Sequence, residues 1–348
     1  MKGKLYRILI PLYFVLCMFL CGGIIFSADA FPILGDEKAQ YLLSFGLVVV
    51  GLVIGKIIHA VFHEICHIIP LKGKGAVILE FGLLGFYFRR EGDAKRFGFK
   101  FSDFDGYVSF VTKNPEKCGI YVYSSIIIAG VGSVLSCVLT AILFRLVDNY
   151  FVFCLFGGGF VSSIYSLMVN FLTDMPSSDG AILYNAKTNF DNILAVCETQ
   201  SRLYLGESLL EMKSDLFFGD ENKVNLYYSY LKKLALGDLD GAKNLLNILE
   251  RENEKTFDNR PITLRLEKFF IAVLENNVDY VEKEKTYLTW YADRNVDLQT
   301  LRIMAVYRKR FGDEAWANSL KATFDKMENK ALKGLYESEK QIINKFYL

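Results

Sequence analysis

His59-Ala60-Val61-Phe62-His63-Glu64-Ile65-Cys66-His67 holds every histidine of the chain, 3 in 348 residues. Within it, His63-Glu64-Ile65-Cys66-His67 has the H-E-x-x-H spacing. On a helix, positions i and i+4 stack on one face, so both imidazoles can reach one Zn2+. Glu64 can then reach a water in the ion's open position and take its proton. Soluble helices produce the same pattern as a pair of satisfied histidines. Here, however, the chain is almost wholly apolar from Tyr41 to Pro70. An ionisable cluster inside such a span is costly and marks a functional site by default.

The register can be tested within the stretch. His59 and His63 are also four apart, but Ala60 stands where the base would be. His59 and His67 are about 12 Å apart along a helix axis, too far to share one ion. The ligand pair is therefore His63 with His67. His59 is expected to line the cavity or to hydrogen-bond a group behind the ligands. Lys56, seven residues before His63, is expected to line the same hydrated cavity and to pair with Asp174, with snorkelling toward the surface as the alternative. Cys66 faces away from the ligand pair and reads as packing.

Working outward, the chain divides into unlike halves. Overall it is 52% hydrophobic and 15% aromatic, with a mean hydropathy of +0.24. Long apolar runs fill the part up to about residue 175, and the remainder is charged with helical periodicity. A net charge of +1 gives no basic footprint for nucleic acid. The 7 cysteines show neither disulfide nor zinc-knuckle spacing.

The fold class expected is mainly α: a polytopic membrane protein with about four transmembrane helices, a small β-segment between the second and third, and a C-terminal helical domain. The first apolar run, 5–28, is too long for a signal-peptide core and reads as a retained helix, although Ala28-Asp29-Ala30 resembles a cleavage site. A short loop follows, and the run with its loop forms an N-terminal anchor unit, 1–40. The second span, about 41–68, carries the motif near its end, with Pro70 and Gly73 as stop signals. Residues 71–118 hold nine basic against six acidic residues. They read as strands around 77–81, 86–88, 97–101 and 107–111, with glycine turns between. Two further spans follow, about 119–146 and 150–172. The positive-inside rule places the N-terminus and the basic segment in the cytoplasm, so the fourth span also ends there.

At that end the chain reads Asn170-Phe171-Leu172-Thr173-Asp174-Met175-Pro176-Ser177-Ser178-Asp179-Gly180. A carboxylate here arrives at the depth of His63 and His67. Asp179 would complete a two-histidine, one-carboxylate set with one position left for water, as in catalytic zinc sites. Asp-Gly after Pro is also an ordinary turn signal. Asp174 is the alternative ligand.

These elements resemble the site-2 protease family of intramembrane zinc metalloproteases, in the form found in Gram-positive bacteria. The likeness covers about 41–185. His63, Glu64 and His67 match its H-E-x-x-H, and Asn170, Pro176 and Asp179-Gly180 match its N-x-x-P…D-G element. Ala129-Gly130-Val131-Gly132-Ser133 resembles its small-residue segment, with Val131 and Val134 in place of the usual Pro and Asn. The resemblance implies a zinc endopeptidase holding one Zn2+, with Glu64 activating water. It also implies a strand edge in 71–118 that receives an extended substrate. The substrate would be a membrane-spanning or membrane-associated peptide cut near the cytoplasmic face.

Residues 186–348 contain no spanning run. Leu236-Gly237-Asp238, Leu274-Glu275-Asn276-Asn277 and Phe311-Gly312-Asp313 recur at intervals of about 36–39, near the length of tetratricopeptide-like helical repeats. Either such an array or an irregular bundle is expected, cytoplasmic, with a surface for a protein partner. A non-catalytic membrane adaptor built on this domain is the alternative function. Another alternative is an integral-membrane zincin with Glu211, spaced four from Asp215, as third ligand.

Overall fold

The computed structural model describes residues 5–27, 37–91, 94–99, 106–146, 149–172, 179, 189–212, 223–254 and 262–347. The chain is mainly helical with one small antiparallel sheet. It forms two compact units. One comprises 1–89, 97–112 and 117–191; the other comprises 192–348 with the short pieces 90–96 and 113–116.

In the first unit, α1 (Leu5–Ser27) is followed by α2 (Glu37–Gly73), and α3 (Cys118–Arg145) by α4 (Tyr150–Leu172). Among the described residues three helices, α2, α3 and α4, are long and apolar enough to cross a membrane. At 1.5 Å per residue the 28 residues of α3 extend about 42 Å, against a hydrocarbon core of about 30 Å. Helix α1 is also apolar and packs on α4. The expected stop at Pro70 is not where α2 ends. Pro70 lies inside the helix. The chain turns at Gly75, whose φ of +79° only glycine adopts freely. The Ala76 N–H donates to the Leu71 carbonyl across 2.9 Å, a closing bond that satisfies one of the helix's last carbonyls.

Glycine decides how closely these helices approach. Gly51 and Gly55 of α2 lie on the α4 backbone. A Cβ at Gly51 would fall 2.0 Å from the Leu155 carbonyl oxygen, and one at Gly55 2.2 Å from that of Gly159. On the α3 side, a Cβ at Gly132 would meet Cys66 Sγ at 2.6 Å and the Phe62 carbonyl oxygen at 2.7 Å. Small-residue seams of this kind are how membrane helices pack, since lipid supplies no hydrophobic drive between them. Helix α2 is thereby held between α3 and α4. The hydroxyls of Ser44 and Tyr150, 2.7 Å apart, both donate to the Gln40 carbonyl and fasten its other end.

The sheet comprises β1 (Val77–Leu83), β2 (Phe86–Glu91), β3 (Ala94–Phe99) and β4 (Tyr107–Val111), in the order β3-β2-β1-β4. Leu84 and Gly85, at φ +53° and +84°, form the two-residue turn that a tight hairpin requires. Strand β1 pairs antiparallel with β2 and with β4, so β4 is an edge.

The second unit contains α5 (Asn189–Leu205), α6 (Lys223–Leu236), α7 (Leu239–Glu254), α8 (Ile262–Leu274), α9 (Val278–Ala292), α10 (Leu298–Arg310), α11 (Glu314–Asp325) and α12 (Lys333–Phe346). The recurring triplets are the turns inside three helical hairpins, α6–α7, α8–α9 and α10–α11. Gly237, Asn276 and Gly312 have φ of +82°, +55° and +103°. The next residue in each, Asp238, Asn277 or Asp313, donates its N–H to the carbonyl five residues back across 2.9 Å. Its side chain then caps the following helix by accepting from Gly241, Tyr280 or Trp316 N–H. One local stop-and-start device is used three times. Helix α12 packs against both α6 and α10.

At the centre of this unit Arg302 is fully buried. It donates to Glu267 at 2.6 Å and also to Glu339. Glu267 further accepts from Tyr227, Tyr230 and Gln299 at 2.7–2.9 Å. Helices α6, α8, α10 and α12 each contribute to this cluster.

Candidate metal centre

Helix α2 carries His59, His63 and His67 on one face, each four residues from the next, and α3 answers with hydroxyls. His59 Nδ1 lies 3.0 Å from Ser136 Oγ, His63 Nδ1 2.9 Å from Ser133 Oγ, and His67 Nδ1 2.9 Å from Ser125 Oγ. The two helices run antiparallel, so the ladder descends one as it climbs the other.

Two hydroxyl protons decide the tautomers of His67 and His59. Ser125 donates its own proton to the His67 carbonyl at 3.1 Å, so its oxygen accepts from His67 Nδ1–H. A neutral imidazole with its proton on Nδ1 leaves Nε2 bare. Ser136 donates to the Ser133 carbonyl at 2.7 Å, which fixes His59 in the same way.

Asp179 meets the lower two rungs. Its Oδ2 lies 3.3 Å from His63 Nε2 and 3.3 Å from His67 Nε2, and the two nitrogens are 3.2 Å apart. Asp179 is 9% exposed, and Oδ2 has no hydrogen-bond partner. The Asp179 carboxylate oxygen and the bare His67 Nε2 thus face one another in a buried corner, and lone pairs so placed repel unless a cation lies between them. The triangle's sides match the ligand separation, about 3.3–3.4 Å, that follows from Zn–N bonds of 2.0–2.1 Å in a tetrahedron. The residues therefore fit a zinc ion. Among the described residues this is the one cluster of such donors close enough to share a metal.

Glu64, between the two histidines, is 5% exposed. Its carboxylate packs on the main chain just before β4, where a Cβ at Gly106 would fall 2.1 Å from Oε1. Only glycine lets the sheet come so near to this side chain.

The other residues singled out lie outside this triangle. His59 Nε2 faces Asn170 Nδ2 at 3.3 Å. Lys56, expected in the cavity, is exposed on α2, and Asp174 lies outside the described residues. Cys66 is buried against Gly132, as packing. The Glu211 carboxylate accepts from Ser208 N–H at 2.7 Å and closes a local turn; Asp215 lies outside the described residues. Sequence reasoning missed Ser125, Ser133, Ser136 and Gly106. The three serines left a faint signal, as hydroxyls spaced eight and three apart in a span otherwise almost wholly apolar.

Compared with family models, with curated proteins and with solved structures, the chain gives no match, so its own residues carry the functional reading.

Proposed function

We propose that the chain is a membrane-embedded zinc endopeptidase resembling the site-2 proteases. The observation that carries the reading is the convergence of His63, His67 and Asp179 on one point beside Glu64. Zinc held there supplies Lewis acidity toward a peptide carbonyl and toward water. Glu64 takes the proton of the attacking water and returns it to the departing amine, as general base and then general acid. Ser125 and Ser133 hold the imidazoles in the rotamer that presents Nε2, and Ser125 also fixes the His67 tautomer.

The substrate class follows from where the base sits. A membrane helix satisfies its own backbone, so its scissile carbonyl is hidden until it unwinds. Strand β4 is an edge of the sheet, and the residue before it touches Glu64. An unwound segment adding to that edge would pass the base in extended form. On the positive-inside reading, the protein is multi-pass, with the N-terminus, the cleavage site and the helical unit on the cytoplasmic side.

Comparative membrane proteomics of wild-type and Glu64→Gln cells tests the proposal. A membrane-derived fragment present only in the wild type is expected. An unchanged fragment pattern, with a phenotype that instead tracks the helical unit, would leave the adaptor reading.

A further inference from the structure

Three rungs of the histidine ladder are built alike on the α3 side and differ in what the other ring nitrogen meets. On two rungs Nε2 faces Asp179. On the third, His59 Nε2 faces the amide nitrogen of Asn170 near the end of α4. His59 is 3% exposed. Because Ser136 has spent its proton on the Ser133 carbonyl, His59 carries its proton on Nδ1, and Nε2 is an acceptor. Asn170 must therefore present its amino group, and the rung defines both partners.

We propose that His59 is a positioning residue that fastens the end of α4 to α2 and so sets where the Asp179 carboxylate arrives. This rests on the metal-site reading. From Asn170 the chain has nine residues in which to reach the third ligand, and that ligand must fall about 3.3 Å from two nitrogens at once. Those nitrogens belong to the same face of α2 as His59, one and two turns further on. A tie at His59 thus refers the start of the connecting segment to the helix that holds the other ligands. Glycine contacts fix the middle of α4 against α2 at Gly51 and Gly55, but they lie more than two turns before Asn170 on α4. At the last turn itself, the Asn170 tie is joined by Phe171, whose ring meets the His63 ring edge-on at 6.1 Å between centroids.

The test uses the full chain in detergent with cobalt(II) as the probe, since four-coordinate cobalt has a visible absorption that zinc lacks. Wild type is expected to bind one cobalt per chain with that band. His59→Leu and Asn170→Leu are each expected to weaken cobalt affinity about tenfold and to diminish the band. The double variant is expected to be no worse than either single, because both remove one contact. His59→Gln keeps an acceptor and is expected to restore affinity to within about threefold. Cobalt binding and spectrum unchanged in His59→Leu, single losses that add in the double, or a His59→Gln as weak as His59→Leu would each overturn the inference. Should His59→Leu not fold, Asn170→Leu decides, and wild-type binding there overturns it equally. A wild type that takes up no stoichiometric cobalt overturns the metal reading and this inference together. Normal wild-type binding with unaffected variants overturns this inference alone.

Discussion

Two of the buried polar clusters among the described residues are built on opposite principles. Around Arg302, donors meet acceptors: a guanidinium, two tyrosine hydroxyls and an amide serve the carboxylates of Glu267 and Glu339, with Arg302 Nη1 left over. Around Asp179, a carboxylate oxygen faces the bare Nε2 of His67, whose proton Ser125 has drawn to Nδ1. A cluster that closes on itself holds helices together. One that leaves its lone pairs pointing at a common centre is arranged for something that is not part of the chain. Burial alone does not separate the two, since both are nearly inaccessible.

The contrast would break most plainly at Glu64. In Glu64→Gln, peptide cleavage is expected to fall about 10²–10⁴-fold with zinc content unchanged, measured by elemental analysis of the same preparation. Asp179→Ala should instead lose the metal. Arg302→Met tests the other cluster, because it strands two buried carboxylates. A destabilisation of about 3–5 kcal/mol is expected. The unfolding midpoint in urea would report it through Trp290 and Trp316, the protein's 2 tryptophans, both in that unit. Replacing Arg302, Glu267 and Glu339 together with apolar residues should cost far less than Arg302→Met alone, if the cluster is structural. At the proposed metal centre, Ser125→Ala removes the acceptor that directs the His67 proton, and zinc affinity should drop about 10-fold to 100-fold in chelator competition.

The smallest effect expected is one of pH. Burial pushes the Glu339 carboxyl up to about 7, with Arg302 opposing and Glu267 reinforcing the rise. The folded unit then binds more protons than the unfolded chain between the ordinary carboxylate range and about 7, so stability is highest below that range and falls as pH rises through it. Tryptophan-monitored urea midpoints at pH 5 and pH 8 should show the decline, and Glu339→Gln should flatten it.

Much of this was written locally. Periodicities and apolar runs belong to short stretches of chain, so the spans and the strands of 71–118 could be drawn before any coordinates. The repeating turns of 236–313 are local too, a left-handed residue followed by an Asx cap. Glu211 shows the converse: its spacing from Asp215 suggested a ligand, but its carboxylate caps a local turn. Lys56 likewise has helical phase with His63 yet is exposed on α2. Phase along one helix says which residues share a face and leaves open what covers that face.

The sequence by itself determined that His63 and His67 form a pair with Glu64 between them, because helical spacing of four residues is a property of one segment. Only the tertiary structure decided how near the expected Asp179 comes to both rings, that Ser125 and Ser133 stand behind them, that Gly106 admits the sheet to Glu64, and that His59 turns to Asn170. Each of those contacts joins residues from 42 to 116 positions apart. The backbone approaches that permit them depend on glycines whose missing side chains have meaning only against a neighbouring helix or strand.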